Sequence, residues 1–165
     1  MRRVAITGPE SSGKTTLAGE LSVVLNAKLV GEFARDFLEE RNGIYRESDL
    51  LTMARGQYDS ILEVNEDLIV VDTDFIVYSV WANYKYSKLD PEIRTLIQDC
   101  LFDLHILCKP DIPWQPDPLR ENPKNRDDLF ELYIEALNEY GKNFIVVEGN
   151  REERLNKAIE AIELL

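Results

Sequence analysis

One eight-residue run, Gly8-Pro9-Glu10-Ser11-Ser12-Gly13-Lys14-Thr15, constrains this chain more than any other feature. It follows a short apolar segment at residues 4–7. It precedes residues 15–26, where Leu17, Leu21 and Leu25 recur four apart, as on one face of a helix. Strand, glycine turn and helix form the context in which such a run becomes a phosphate-binding loop. Glycines let successive backbone N–H groups converge on an anion, and the helix start adds its positive end. Lys14 is placed to neutralise β- and γ-phosphates, and the Thr15 hydroxyl to ligate Mg²⁺. This reading assigns Gly8, Glu10, Ser11, Ser12, Gly13, Lys14, Thr15 and Thr16 to a nucleotide, with ATP and Mg²⁺ as expected cofactors.

The rest of the chain alternates in the same way. Apolar, β-branched runs at 27–31, 68–72, 104–108 and 144–148 predict further strands. Helical patterns lie between them at 32–41, 49–65, 75–86, 91–101, 127–140 and 152–165. Ser48 is the expected N-cap of the second of these, Pro91 opens the fourth, and Gly141 stops the fifth. The alternation predicts an α/β fold with a parallel sheet covered by helices on both faces. With 165 residues, 44% of them apolar, residues 1–165 suit a single domain.

Residues 109–126 break the pattern. They hold Pro110, Pro113, Pro116, Pro118 and Pro123 with four basic side chains, so neither a regular helix nor a central strand fits. A long irregular segment inside a compact domain is usually functional, and a lid is expected here. Its Arg120 and Arg126 suit the charge that phosphoryl transfer spreads over the migrating group. Trp114 suits stacking on a flat or cationic heterocycle, or anchoring of the segment to the core.

Charge bounds the partners. Nineteen basic against 31 acidic residues leave a net charge of −12, which argues against duplex DNA or RNA. No stretch is apolar enough to cross a membrane. The two cysteines, Cys100 and Cys108, fit no metal or redox spacing, which points to a reducing cytoplasm. The single histidine, His105, lies in a strand-like run and is expected to be packed there.

Acidic residues gather where the strands end. Asp72 closes the run 68–72 and is the expected metal-side carboxylate, with Asp74 two residues on. Asp74 could equally cap the next helix. Glu32 follows the run 27–31, with Arg35 one turn later and Asp36 in reserve. Glu32, Asp36 or Asp74 could take the proton of an attacking hydroxyl, and no spacing ranks them. Glu32, Arg35, Asp74 and Trp114 are the expected acceptor contacts, and the turn Asn150-Arg151, at the end of the fifth strand, is expected either to border the base, through Arg151, or to cap the last helix.

Taken together, the phosphate loop, Gly31-Glu32-Phe33-Ala34-Arg35-Asp36, Val71-Asp72-Thr73-Asp74, Asp111-Ile112-Pro113-Trp114 and Asp117-Pro118-Leu119-Arg120 resemble the nicotinamide riboside kinase domain of NadR-type NAD-biosynthesis proteins. The resemblance covers essentially the whole chain. It implies a three-layer P-loop kinase sandwich with strand order 2-3-1-4-5 and a lid. It also implies transfer of the ATP γ-phosphoryl group to the 5′-hydroxyl of nicotinamide riboside. By the same resemblance Lys14 and Thr15 meet ATP and Mg²⁺, Asp72 or Asp74 lies near metal and ribose, Arg120 sits in the lid, and Trp114 lies near the nicotinamide. Two further readings stand beside this one: a kinase of another nucleoside or nucleotide, and an ATP-binding regulatory module. The NadR-type adenylyltransferase segment is not in the sequence, so a free-standing kinase or a homologue with another acceptor is expected.

Overall fold

The structure is a computed structural model, and it describes residues 1–99 and 102–165. Five parallel strands form one sheet: β1 (Arg2–Thr7), β2 (Lys28–Val30), β3 (Leu68–Asp72), β4 (Leu104–Cys108) and β5 (Phe144–Val147). Their order is β2-β3-β1-β4-β5, as the resemblance implies. Every strand pair is parallel, so each connection must cross a face of the sheet.

The crossing helices make the outer layers. One face carries α1 (Lys14–Val24) and α7 (Arg151–Glu163). The other carries α2 (Phe33–Glu40), α3 (Glu47–Leu62), α4 (Ile76–Trp81), α5 (Pro91–Asp99) and α6 (Arg126–Glu139). The period-2 geometry of a strand divides the core between them. In β3, Leu68 and Val70 pack with α1 and α7, while Ile69 and Val71 pack with the larger group. All five β3 residues are buried, which is why its sequence reads as one apolar run.

Local details depart from the sequence reading. Helix α3 begins at Glu47, and the Arg46 amide donates to Asp49 Oδ2 at 2.8 Å, so Ser48 lies inside the first turn and does not cap it. The expected helix over 75–86 is α4 followed by a π-helical turn, Ala82–Tyr86, which ends at Ser87 in a left-handed conformation. Of the expected helix over 91–101, the last two positions, including Cys100, lie outside the described residues. The irregular segment ends one residue early, because Arg126 opens α6.

The topology gathers function at one edge. The loops after β1, β2, β3, β4 and β5 all leave from the carboxyl ends of their strands, where ligands collect in parallel α/β sheets.

Candidate active site

The loop after β1 is held by its backbone. Gly8 has φ 136°, and a Cβ there would lie 2.7 Å from the Cys108 carbonyl oxygen, so only glycine lets the loop sit against the end of β4. Gly13, at φ 86°, opens α1 without a side-chain cap, and no acidic residue occupies the first turn. The first amides of the helix therefore face the cavity as an anion site. Lys14 Nζ donates to the carbonyl oxygens of Gly8 and Pro9 at 2.9 and 2.8 Å, and Ser12 Oγ donates to Pro9 at 2.7 Å.

An arginine that the sequence reading did not single out braces this loop. Arg154 in α7 is 5% exposed and spends its guanidinium on backbone. It donates to the carbonyls of Ser12 at 2.7 Å, Gly149 at 2.9 Å and Lys109 at 2.9 Å, and it pairs with Asp111. The other Asp111 oxygen accepts the Gly149 amide at 2.7 Å. One buried cation thus joins the loops after β1, β4 and β5. In sequence it is one charge among many on an amphipathic helix, and no local signal separates it.

Glu32 is fixed by a clasp that was also invisible in the sequence. Gln57, fully buried in α3, accepts the Phe33 amide at 2.8 Å and donates to the Gly31 carbonyl at 3.1 Å, gripping the backbone on both sides of Glu32. Burial raises the Glu32 carboxyl above its ordinary value; Lys14 opposes this and Asp72 adds to it. Asp72 is 3% exposed, and its Oδ1 has no hydrogen-bond partner among the described residues. Its carboxyl is likewise raised by burial, with the Thr15 hydroxyl and Lys14 opposing. A buried, unsatisfied carboxylate oxygen facing a threonine hydroxyl is the donor set a hard divalent cation takes beside nucleotide phosphates. The residues present therefore fit Mg²⁺.

Asp74 has a different surrounding. It is fully buried, accepts the Thr7 hydroxyl at 2.9 Å and the Val77 amide at 3.4 Å, and stands 3.4 Å from His105 Nε2. It does not border the cavity, so the expected acceptor and base role is corrected to a structural one ahead of α4. His105 is 2% exposed on β4, packed as expected, and burial keeps its pKa low.

The proline-rich segment lies across the phosphate loop. Ser11 Oγ accepts the Gln115 amide at 2.9 Å, and Glu10 accepts the amides of Glu121 and Asn122 at 3.1 and 2.9 Å. Arg35 pairs with Asp117 at 3.0 Å and Glu39 at 3.0 Å. Arg120 also reaches Ser11, and its guanidinium donates to the Gln115 carbonyl. Beneath this cover a cavity runs from the phosphate loop past Glu32, Arg35 and Arg120 to a wall of Tyr45, Met53, Tyr78, Trp81, Leu119 and Tyr133.

Besides Asp72 and Asp74, four expected site residues do not line that cavity. Trp114 stacks against arginines, 5.7 Å from the Arg126 guanidinium and 6.0 Å from that of Arg120, so it anchors the segment. Arg126 is committed to the carbonyls of Ser11 and Ile112, each at 2.9 Å. Arg151 pairs with Glu20 on the outer surface, and Asp36 points outward from α2. Conversely, Tyr45, Tyr78, Leu119 and Tyr133 line the site without having been expected there. Tyr78 and Tyr133 read as core positions of helices, Tyr45 and Leu119 lie in irregular segments, and only the fold brings the four into one wall.

The strand order, the glycine loop and the cavity define a P-loop nucleotide-binding domain. Residues 3–154 match the family model described as an AAA domain, and the chain belongs to that family. Over its full length it is 29% identical to the trifunctional NAD biosynthesis/regulator protein NadR of Escherichia coli (strain K12), of which it spans 42%. Crystal structures of NadR protein, one in complex with NR and one with NAD and AMP-PNP, align with TM-scores of 0.81 and 0.82 at 27% identity. They cover 99% of this chain and 51% and 49% of theirs. A deoxyadenosine kinase from M. mycoides with bound dCTP shares the fold at TM-score 0.68 and 14% identity, over 99% of this chain and 100% of its own. The NadR-type resemblance thus extends along the whole chain, which spans about half the length of those relatives or less.

Proposed function

We propose that this protein is an ATP-dependent kinase that phosphorylates the hydroxyl of a nucleoside-like acceptor, with nicotinamide riboside the favoured acceptor. The observation that carries this reading is the continuity of the cavity. It joins the phosphate loop, the partly buried Glu32 carboxylate and an aromatic pocket under one cover. A hydrolytic switch needs no such second pocket. The NR complex of a NadR protein supports the choice of acceptor.

The chemistry follows from the residues. Loop amides and Lys14 hold the triphosphate, with Lys14 turning from the Gly8 and Pro9 carbonyls to the β- and γ-phosphates. Thr15 and Asp72 would hold Mg²⁺, which draws charge from the phosphate oxygens. Glu32 accepts the proton of the acceptor hydroxyl as that oxygen bonds to the γ-phosphorus. The bond from phosphorus to the ADP oxygen breaks, and Glu32 later returns the proton to solvent. Its raised pKa makes it a better proton acceptor than an exposed carboxylate. Arg120, from the segment 109–126, and Arg35, from α2, line the same cavity and would stabilise charge on the migrating group, while the segment acts as the lid and excludes water.

The test is ADP release with ATP·Mg²⁺ against a panel of nucleosides that includes nicotinamide riboside, with Lys14→Ala as control. Turnover stimulated by nicotinamide riboside and lost in the variant is the expected result. Stimulation by a different nucleoside moves the acceptor, and ATP binding without any stimulation overturns the kinase reading.

A further inference from the structure

Thr73 combines three properties that the phosphate chemistry leaves unexplained. Its φ is 80°, a left-handed conformation that a β-branched residue rarely adopts. It is 1% exposed. Its buried hydroxyl completes no hydrogen bond among the described residues. Glycine would make this turn without strain, so the threonine side chain has to justify itself by something else.

The strand register says what it stands beside. In the parallel pair β2·β3, Val30 is opposite Val71. Two residues further along each chain, Glu32 follows β2 and Thr73 follows β3, at matching positions past the sheet edge. The Thr73 amide donates to the Ile6 carbonyl at 3.0 Å, which pins the left-handed turn to β1. The same turn separates its neighbours: Asp72 stands with Thr15, and Asp74 is sent back to Thr7 and His105.

We propose that Thr73 is a positioning residue for phosphoryl transfer: its hydroxyl, aimed by the left-handed backbone, orients the Glu32 carboxylate toward the acceptor hydroxyl. This rests on Glu32 being the base, as proposed above. Among the influences on Glu32, burial dominates and raises its pKa, and the Thr73 hydroxyl is one of the groups that oppose it. The Thr73 hydroxyl has no completed hydrogen bond among the described residues, so its proton is available to Glu32.

The experiment uses the full chain with ATP·Mg²⁺ and nicotinamide riboside, or whichever nucleoside stimulates turnover. Transfer to the acceptor, ATP hydrolysis without acceptor, and thermal melting are measured in parallel. Thr73→Val keeps the shape and deletes the donor. It is expected to lower kcat for transfer about tenfold or more, the scale on which small misplacement acts. KM for ATP and acceptor-free hydrolysis stay unchanged, and Thr73→Ser restores transfer. Thr73→Gly, which relieves the backbone, is expected to lose transfer as Val does without melting earlier than the Val variant, and it keeps the test open if Val destabilises. Transfer retained in both variants, or transfer and hydrolysis falling together, overturns the proposal. Glu32→Gln separates the two layers. If it keeps transfer, the base reading fails and this inference with it. If it abolishes transfer while Thr73→Val does not, the inference alone fails.

Discussion

The two ends of the cavity are built by different means. The phosphate end is made of backbone from one contiguous stretch, residues 8–16, held by glycine geometry and by carbonyls bound to Lys14 and Arg154. The other end, which the proposed function assigns to the acceptor, is made of side chains from distant positions: Tyr45, Met53, Tyr78, Trp81, Leu119 and Tyr133. A backbone site offers convergent N–H groups that any triphosphate satisfies. A side-chain wall can change its occupant by one substitution. The difference teaches that donor chemistry in such a fold is fixed and acceptor identity is adjustable, so mutations at the two ends must fail in different ways.

The largest effect is expected at the phosphate end. Lys14→Ala should lower transfer by about 100- to 1000-fold with any acceptor, the scale of losing one charge-stabilising donor. ADP-release kinetics on the folded variant measures it, and activity within tenfold of wild type would break the assignment. Next comes the backbone itself. Gly8→Ala drives a Cβ to within 2.7 Å of the Cys108 carbonyl at a φ of 136°, whereas a Cβ at Gly31 meets nothing within 4 Å. Gly8→Ala should cost about 1–3 kcal/mol of stability and abolish tight nucleotide binding, while Gly31→Ala stays near neutral. Denaturant melts and nucleotide titration distinguish them.

The acceptor end should respond more gently and selectively. Trp81→Ala should raise the acceptor KM by about tenfold or more, the cost of a few apolar contacts, while the ATP KM stays put. An equal rise in both constants would erase the distinction between the two ends.

A smaller effect carries a sign worth testing. Folded Glu32 titrates above its unfolded value because burial disfavours its charge. The stability that its neutral form contributes is fully present below the unfolded pKa and lost as pH rises through the folded one. Glu32→Gln should therefore raise the melting temperature at neutral pH by about 2–4 °C, roughly 1 kcal/mol for a chain of this size, and the gain should vanish in acid. Calorimetry across pH checks it, and a destabilised variant at neutral pH would refute it. Smallest of all, Glu10→Gln keeps one acceptor for the Glu121 and Asn122 amides but loses the charge, about 1 kcal/mol. Both KM values should rise a few-fold, because this contact spans the phosphate loop and its cover.

The difference between the ends also decides what could be read in advance. The phosphate loop was legible as a loop because it is a contiguous string, and the sheet was legible because continuous apolar, β-branched runs mark strands buried on both faces. Glu32 and Asp72 were legible as residues just beyond or at strand ends. Asp74 was not separable from Asp72 by spacing, since two residues apart on extended chain suggests one face. The left-handed turn at Thr73 reverses that inference. Trp114 and Arg126 carried the right chemistry for a ligand, yet they bind each other and the loop carbonyls. Buried Gln57 and Arg154 left no trace at all, because Gln57 reaches Gly31, 26 residues away, and Arg154 reaches Ser12, 142 residues away.

The sequence by itself determined the P-loop class, the parallel alternation and the irregular segment that lies across the phosphate loop. All of these follow from local rules: glycine conformations, apolar periodicity, and proline's exclusion from regular structure. Only the tertiary structure decided which carboxylate meets the cavity, which arginines are free to face it, and which aromatics wall it. Those assignments depend on where side chains from remote strands and helices converge, and convergence is a property of packing rather than of any segment.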